Sequence, residues 1–133
     1  DVINVAGHRL GTREIEECIS AHPNVAEVAV VGVADNLKGQ VALAFAVPRD
    51  ASSLNSDADR AALEAEVMKQ VDAQLGAVAR PSRVYFVALL PKTRSGKLLR
   101  RALQAVAEKR DPGDLTTMED PAVLQQVRDM VGQ

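Results

Sequence analysis

A chain of 133 residues, 47% apolar and 26% charged, is sized for a single domain with one sizeable core. Its formal net charge of -2 at pH 7 excludes a protein built mainly to coat nucleic acid or an anionic membrane, and no apolar run reaches bilayer-spanning length. The single cysteine, Cys18, allows no internal disulfide and no thiolate metal cluster, so a reducing cytoplasm is the default compartment. The opening Asp1-Val2-Ile3-Asn4 has neither an initiator Met nor a basic-then-apolar leader and is expected to continue a longer polypeptide.

Taken in chain order, residues 2–5 are β-prone, Ala6-Gly7-His8-Arg9 reads as a turn, and Leu10 begins the return. Thr12 is expected to cap a helix over 13–21, with Glu14, Glu16 and Glu17 near its positive end. Ile15, Cys18 and Ile19 then share one face at i, i+3, i+4 spacing. Pro23-Asn24 breaks that helix. Residues 25–33 and 41–47 are rich in Val and Ala and predict a hairpin joined by a longer loop over 34–40. Both of its faces are apolar, so the sheet should be covered on both sides.

Residues 51–56 form a polar connector. An amphipathic helix is predicted over 57–75, where Leu63, Val67, Val71 and Leu75 step by four beside Met68, and Gly76 ends it. Residues 84–89 predict a third strand, closed by Pro91. Ser95 is expected to cap a helix through Leu99, Ala102, Leu103 and Val106, terminated by Asp111-Pro112-Gly113. Asp120-Pro121 is a cap-plus-N1 pair for a last helix carrying Leu124, Val127 and Val131. The expected class is α+β: a small three-stranded sheet covered by helices and preceded by a short β-hairpin, within one domain spanning 1–133. The βαββαβ order alone also fits a ferredoxin-like domain.

The sharpest chemical feature lies between Lys92 and Arg110. Lys92, Arg94, Lys97, Arg100, Arg101, Lys109 and Arg110 stand there against one acid, Glu108, in a chain that is acidic overall. Gly96 frees the backbone before Lys97, and a nearby helix N-terminus would add positive potential, which suits a phosphate or carboxylate. The spacing of a P-loop is missing. Composition alone supports a solvated basic face equally well.

The second feature is Val5-Ala6-Gly7-His8-Arg9-Leu10-Gly11. Its glycines permit close backbone approach and Arg9 offers a fork for phosphate, although glycines in turns more often serve the turn itself. His8 and His22 have no companion of metal-ligand spacing. His22 before Pro23 reads most simply as a helix terminator, and Cys18 as a buried, inert thiol.

The two loops occur in a recognisable order. Residues 1–12, ending Val5-Ala6-Gly7-His8-Arg9-Leu10-Gly11-Thr12, resemble the hinge-proximal motif of acetyl-CoA and propionyl-CoA synthetases. Pro91-Lys92-Thr93-Arg94-Ser95-Gly96-Lys97-Leu98-Leu99-Arg100-Arg101 resembles their last motif, which carries the adenylation lysine. Ala21-His22-Pro23 and the stretch from Gly32 to Gly39 fit the same family. The tail Arg110-Asp111-Pro112-Gly113-Asp114-Leu115-Thr116-Thr117, followed by Asp120-Pro121, resembles that of propionate-CoA ligases in particular.

This resemblance, which spans the chain, implies the C-terminal lid domain of an adenylate-forming enzyme, with an N-terminal adenylation domain as its partner. It implies a two-step ligation in which a short-chain carboxylate and Mg-ATP give an acyl-adenylate and pyrophosphate, and CoA then displaces AMP. It assigns Lys97 to the first step, Ala6 and Gly7 to the CoA tunnel of the second, and Arg9 to the AMP phosphate. It also places Ser20, His22 and Val25 where related enzymes hold a magnesium ion partly through backbone carbonyls. It makes Lys97 a target for reversible acylation by a protein acyltransferase and deacylase, in a loop expected to be mobile and accessible. Two departures stand out. Where acetyl-CoA synthetases carry an Arg thought to touch CoA, this chain reads Val71-Asp72-Ala73-Gln74-Leu75, and the family's hinge Asp would lie just before Asp1.

Two other readings compete. The small domain of another adenylate-forming enzyme, such as a peptide-synthetase adenylation domain, is disfavoured by the tail and by the wording of the Gly7 motif. A ferredoxin-like module binding RNA through its basic loop has few stacking platforms, because the chain holds one Tyr, two Phe and no Trp. No nucleic acid or membrane partner is expected.

Overall fold

A computed structural model describes residues 2–132. Strands β1 (Val2–Val5) and β2 (His8–Gly11) form a hairpin that leads into helix α1 (Thr12–Ser20). Strands β3 (Val25–Asp35) and β4 (Gly39–Pro48) follow, then helix α2 (Asp57–Leu75) and strand β5 (Arg83–Phe86). Helices α3 (Arg100–Ala107) and α4 (Ala122–Val131) complete the chain.

Strand β4 is central. It pairs antiparallel with β3 along one edge and parallel with β5 along the other. Parallel neighbours need a crossover, and α2 supplies it. The hairpin joins the same edge of β4 end to end with β5, through Val5 opposite Gly39. The sheet is therefore the expected three-stranded one with the hairpin attached to it.

Successive side chains on a strand point to opposite faces, and here both faces are apolar. Val30, Ala42, Ala44, Ala46, Val84 and Phe86 pack under α1 and α2 with Ile15, Ile19, Leu63, Val67 and Val71. Val31, Leu43, Phe45 and Val87 pack under α3 and α4 with Leu103, Val106, Leu124 and Val127. Each large side chain buried there contributes about 2 kcal/mol of transfer free energy. Phe45 and Tyr85 stack on the second face, ring centroids 5.4 Å apart.

Several boundaries differ from the sequence expectation. The β3–β4 connection is only residues 36–38, because the Asp35 carboxylate accepts from the N–H groups of Leu37 and Lys38 and closes the turn early. Thr12 is the buried first residue of α1 rather than its cap; Gly11 holds that place. β5 stops at Phe86, although the Val87 N–H still reaches Ala46 O at 2.9 Å. The helix expected to start at Ser95 starts at Arg100, with Leu99 at its N-cap and no side-chain cap. α4 begins at Ala122 with Pro121 in the cap position, and the Asp120 carboxylate accepts from Ala122 N–H.

The free edge of β3 is closed by side chains. Glu16 accepts from Val30 N–H at 2.7 Å, and Arg100 donates to Val30 O. Gln104 donates to Gly32 O, and Glu108 accepts from Ala34 N–H. Residues 100 and 104 and the C-cap residue 108 lie on one side of α3, which runs along β3 in the same direction. An open edge would invite pairing with another chain; here it is occupied.

Candidate functional site

The Lys97 loop is a tight hairpin. Lys92 pairs antiparallel with Leu98, and Leu99 N–H donates to Pro91 O at 2.9 Å. Thr93 binds the turn three ways. Its N–H donates to Lys97 O at 2.8 Å, its carbonyl accepts from Gly96 N–H at 2.9 Å, and its hydroxyl oxygen accepts from Lys97 N–H at 3.1 Å. Gly96 has φ +91°, and a Cβ there would meet nothing within 4 Å. The glycine is required by backbone conformation, not by space.

Ser95, rather than capping a helix, shares a hydrogen bond with Thr93 Oγ1 at 3.0 Å. The helix N-terminus consequently lies three residues beyond Lys97. The base of the loop is tied down on both sides. Lys92 forms an ion pair with Glu27 near the start of β3. Arg100 grips the two carboxylate oxygens of Glu16 at 2.8 and 3.2 Å. Only the tip, residues 94–97, is exposed. The loop expected to be mobile is thus pinned, with an accessible ammonium at its end.

The Gly7 loop is the two-residue turn of β1–β2, with Val5 opposite His8. Ala6 has φ +51° and Gly7 φ +84°, the left-handed pair that matches the twist of a hairpin. Ala6 adopts this conformation at a cost of about 1 kcal/mol, held by its N–H on Lys38 O at 2.9 Å. A Cβ at Gly7 would project into open space. Arg9 lies exposed on β2, opposite Asn4.

These two loops are far apart. The Gly7 turn sits at the Asp35–Gly39 end of the β3–β4 hairpin, and the Lys97 loop at the Glu27 end. The strand from Glu27 to Asp35 spans about 26 Å at roughly 3.3 Å per residue step. The structure brings Ala6, Gly7 and Arg9 together and leaves Lys97 at the opposite end.

Ser20, His22 and Val25 surround the α1–β3 turn. The His22 ring is fully engaged: Nδ1 accepts from Asn24 N–H, and Nε2 lies 3.1 Å from Glu66. His22 O accepts from Val25 N–H at 3.1 Å, and the Ser20 hydroxyl donates to Glu17 O. A cation there would depend on main-chain oxygens. Among the described residues no group of three His, Cys, Asp or Glu is placed to hold a metal. Burial pushes the Cys18 thiol up from its ordinary value, which keeps it protonated and inert.

Sequence reasoning missed the residues that hold these loops. Glu16 and Arg100 are 84 residues apart, and no local spacing links them. It also missed a cleft of about 410 Å³ beside Ala6, lined by Val5, Val41, Met68 and Val78 and flanked by Lys38 and Arg80. No carboxylate lines that cleft, and neither cation forms an ion pair with a described residue. No helix among the described residues is long and apolar enough to cross a membrane.

The site thus consists of a pinned lysine hairpin and a glycine hairpin at opposite ends of one small sheet. Residues 14–97 match the family model described as AMP-binding enzyme C-terminal domain, and the chain belongs to that family. It is 63% identical over 128 residues to the propionate–CoA ligase of Escherichia coli K12, covering 96% of this chain and 20% of that protein. It is 44% identical, again over 128 residues, to the acetyl-coenzyme A synthetase of Pyrobaculum arsenaticum, covering 96% of this chain and 18% of that protein. Among solved structures, the acyl-CoA synthetase of Brucella canis superposes with a TM-score of 0.69 at 37% identity, covering 82% of this chain and 19% of that one. ATP-bound MatB from Rhodopseudomonas palustris gives 0.70 at 30% identity, over 81% and 20%. The chain spans about a fifth of the length of the curated relatives it matches.

Proposed function

We propose that this chain is the mobile small domain of a cytoplasmic propionate–CoA ligase, acting with an N-terminal adenylation domain on propionate, ATP and CoA. In the first step a propionate oxygen attacks the α-phosphorus of Mg-ATP, and pyrophosphate leaves. In the second the CoA sulfur attacks the acyl carbon, AMP leaves, and the thiol proton passes to solvent. The observation that carries the reading is the placement of the two motif loops at opposite ends of one sheet, with about 26 Å of strand between those ends. Groups so separated do not serve the same reacting atoms in one pose, so the domain presents them in turn.

Lys97 acts in the first pose. Two anions must approach there, and an ammonium between them offsets their repulsion and stabilises the charge that develops on phosphate. Lysine supplies a compact point charge on a flexible stem, and the pinned hairpin aims it. Acylation of the exposed Lys97 Nζ by a protein acyltransferase would form an amide, remove the charge and stop this step until a deacylase reversed it.

Ala6 and Gly7 act in the second pose, where the bare Gly7 backbone leaves room for the pantetheine arm, with Arg9 near the AMP phosphate. The stretch from Val71 to Leu75 has no Arg where the resemblance leads one to look for a CoA-binding one, so Lys38 and Arg80 beside Ala6 take over the attraction of CoA phosphates. A separate magnesium at Ser20, His22 and Val25 would be held by main-chain oxygens and take no part in either step.

The choice of propionate rests on the tail from Arg110 to Pro121 and on the difference between 63% and 44% identity to the two kinds of relative. Carboxylate-dependent exchange of labelled pyrophosphate into ATP by the complete ligase tests it. Propionate should support exchange with a higher kcat/KM than acetate. A preference for acetate would move the chain to the acetyl-CoA synthetases.

A further inference from the structure

The tail that marks the propionate-type sequence has no part in either half-reaction as described, yet it lies directly against the Lys97 loop. Thr93 pairs with Met118 as an antiparallel bridge. Glu119 N–H donates to Lys92 O at 2.9 Å, and Arg94 N–H donates to Thr117 O at 3.2 Å. Arg94 Nη1 reaches Thr116 O at 3.4 Å. The Lys92–Arg94 arm of the lysine hairpin is therefore flanked on one side by the Lys97–Leu99 arm and on the other by the tail.

The tail has its own fixed shape. Asp111 accepts from Gly113 N–H, Asp114 from Thr116 N–H and Asp120 from Ala122 N–H, each at 2.9 or 3.0 Å. Each carboxylate closes a turn that would otherwise compete with extended backbone. Met118 N–H closes another on Leu115 O at 3.0 Å. Met118 itself is 2% exposed and packs in the core beneath α3 and α4 with Leu103 and Leu124. It is the apolar plug that fastens the tail to the domain.

We infer that the tail from Asp111 to Asp120 is a positioning element for the adenylation step, with Met118 and the Glu119 N–H aiming the Lys97 ammonium. It touches no substrate; it acts through the backbone of Lys92, Thr93 and Arg94. A displacement of about 1 Å in a catalytic group can cost on the order of a hundredfold in rate. A loop of eight residues held only at its base would allow such displacements, and pairing along its length does not. The inference rests on the assignment of Lys97 to adenylation.

The test compares Met118→Ala, Met118→Leu, Glu119→Pro and Lys97→Ala in the complete ligase. Met118→Ala removes the plug, and Met118→Leu keeps its volume. Glu119→Pro deletes the N–H donated to Lys92 O while keeping the Met118 side chain. Met118→Ala and Glu119→Pro should lower kcat for propionate-dependent pyrophosphate exchange about tenfold or more, with KM for propionate and ATP unchanged. The rate of thioester formation from supplied propionyl-adenylate and CoA should stay at the parent level, and Met118→Leu should recover most of the exchange. A merely structural role would lower both half-reactions together, and that result would overturn the inference. So would unchanged exchange in both Met118→Ala and Glu119→Pro. If Lys97→Ala itself keeps full exchange, the assignment of Lys97 fails instead, whatever the tail variants do.

Discussion

At the Glu27 end of the β3–β4 hairpin, the Lys97 loop is held by backbone pairing on both of its flanks and by two ion pairs, Lys92–Glu27 and Arg100–Glu16. At the Asp35 end, the Gly7 turn is held by its own hairpin, one N–H on Lys38 O and the packing of Ile3. The difference fits the roles proposed for the two ends. On that proposal a side chain acting through charge has to be aimed, whereas a turn that lets a substrate arm pass has only to stay narrow. Aim requires many restraints. Narrowness requires a glycine and a fixed backbone.

The largest expected effect on stability comes from the well-anchored end. Arg100 and Glu16 are only 25% and 16% exposed, so Arg100→Ala strands a carboxylate and deprives Val30 O of its donor. A fully buried pair would cost about 3–5 kcal/mol to break in this way. At this exposure we expect about 2–3 kcal/mol, read as a lowered urea midpoint. A loss below about 0.5 kcal/mol would mean the pair is an ordinary surface one.

The other end is tested through Gly32. A Cβ placed there would lie 2.3 Å from Ile3 Cγ2, so Gly32→Ala must push the β1–β2 hairpin outward, at about 1–3 kcal/mol. Thioester formation should suffer more than adenylation, and the added Ile3→Ala should restore it. An effect confined to adenylation would reverse the assignment of the two ends. At the same end, Lys38→Ala with Arg80→Ala should raise KM for CoA about tenfold, worth about 1.4 kcal/mol. KM for ATP and the rate with pantetheine, which lacks the nucleotide, should not change.

The smallest effect concerns pH. The Glu108 carboxyl is lowered from its ordinary value of 4.5 by the hydrogen bond from Arg110 and then by that from Ala34 N–H, against the opposing effect of burial. A lowered folded value contributes stability that is present above about pH 4.5 and lost as pH falls through the folded value. Because its Arg110 partner is 57% exposed, solvent screening holds the gain below about 1 kcal/mol. Glu108→Gln should therefore lower stability at neutral pH by that amount and leave it nearly unchanged in acid, flattening the acid limb of the stability curve as followed by circular dichroism.

Much of the fold was legible because local and long-range signals agreed. Helix α2 has the expected bounds, 57–75, since the apolar residues step by four and Gly76 at φ +90° ends the run. The Val- and Ala-rich strands gave a sheet covered on both faces, as alternating apolar side chains require. The site was legible only as two motifs. Ser95 looked like a helix cap because its hydroxyl has that capacity, but the neighbouring Thr93 takes it into a turn instead. The Glu16–Arg100 pair, the Met118 plug and the Lys38–Arg80 cleft depend on contacts between distant segments. Residue spacing within a segment carries no trace of them.

In the proposed function the two ends of the sheet serve different half-reactions. Lys97→Ala and Gly7→Leu in the complete ligase, each carried through both half-reactions, test it most directly. Lys97→Ala should lower propionate-dependent pyrophosphate exchange by about 10²- to 10³-fold and leave thioester formation from supplied propionyl-adenylate near the parent rate. Gly7→Leu should do the reverse, blocking the thioester step while exchange continues. Equal loss of both half-reactions in either variant would contradict it.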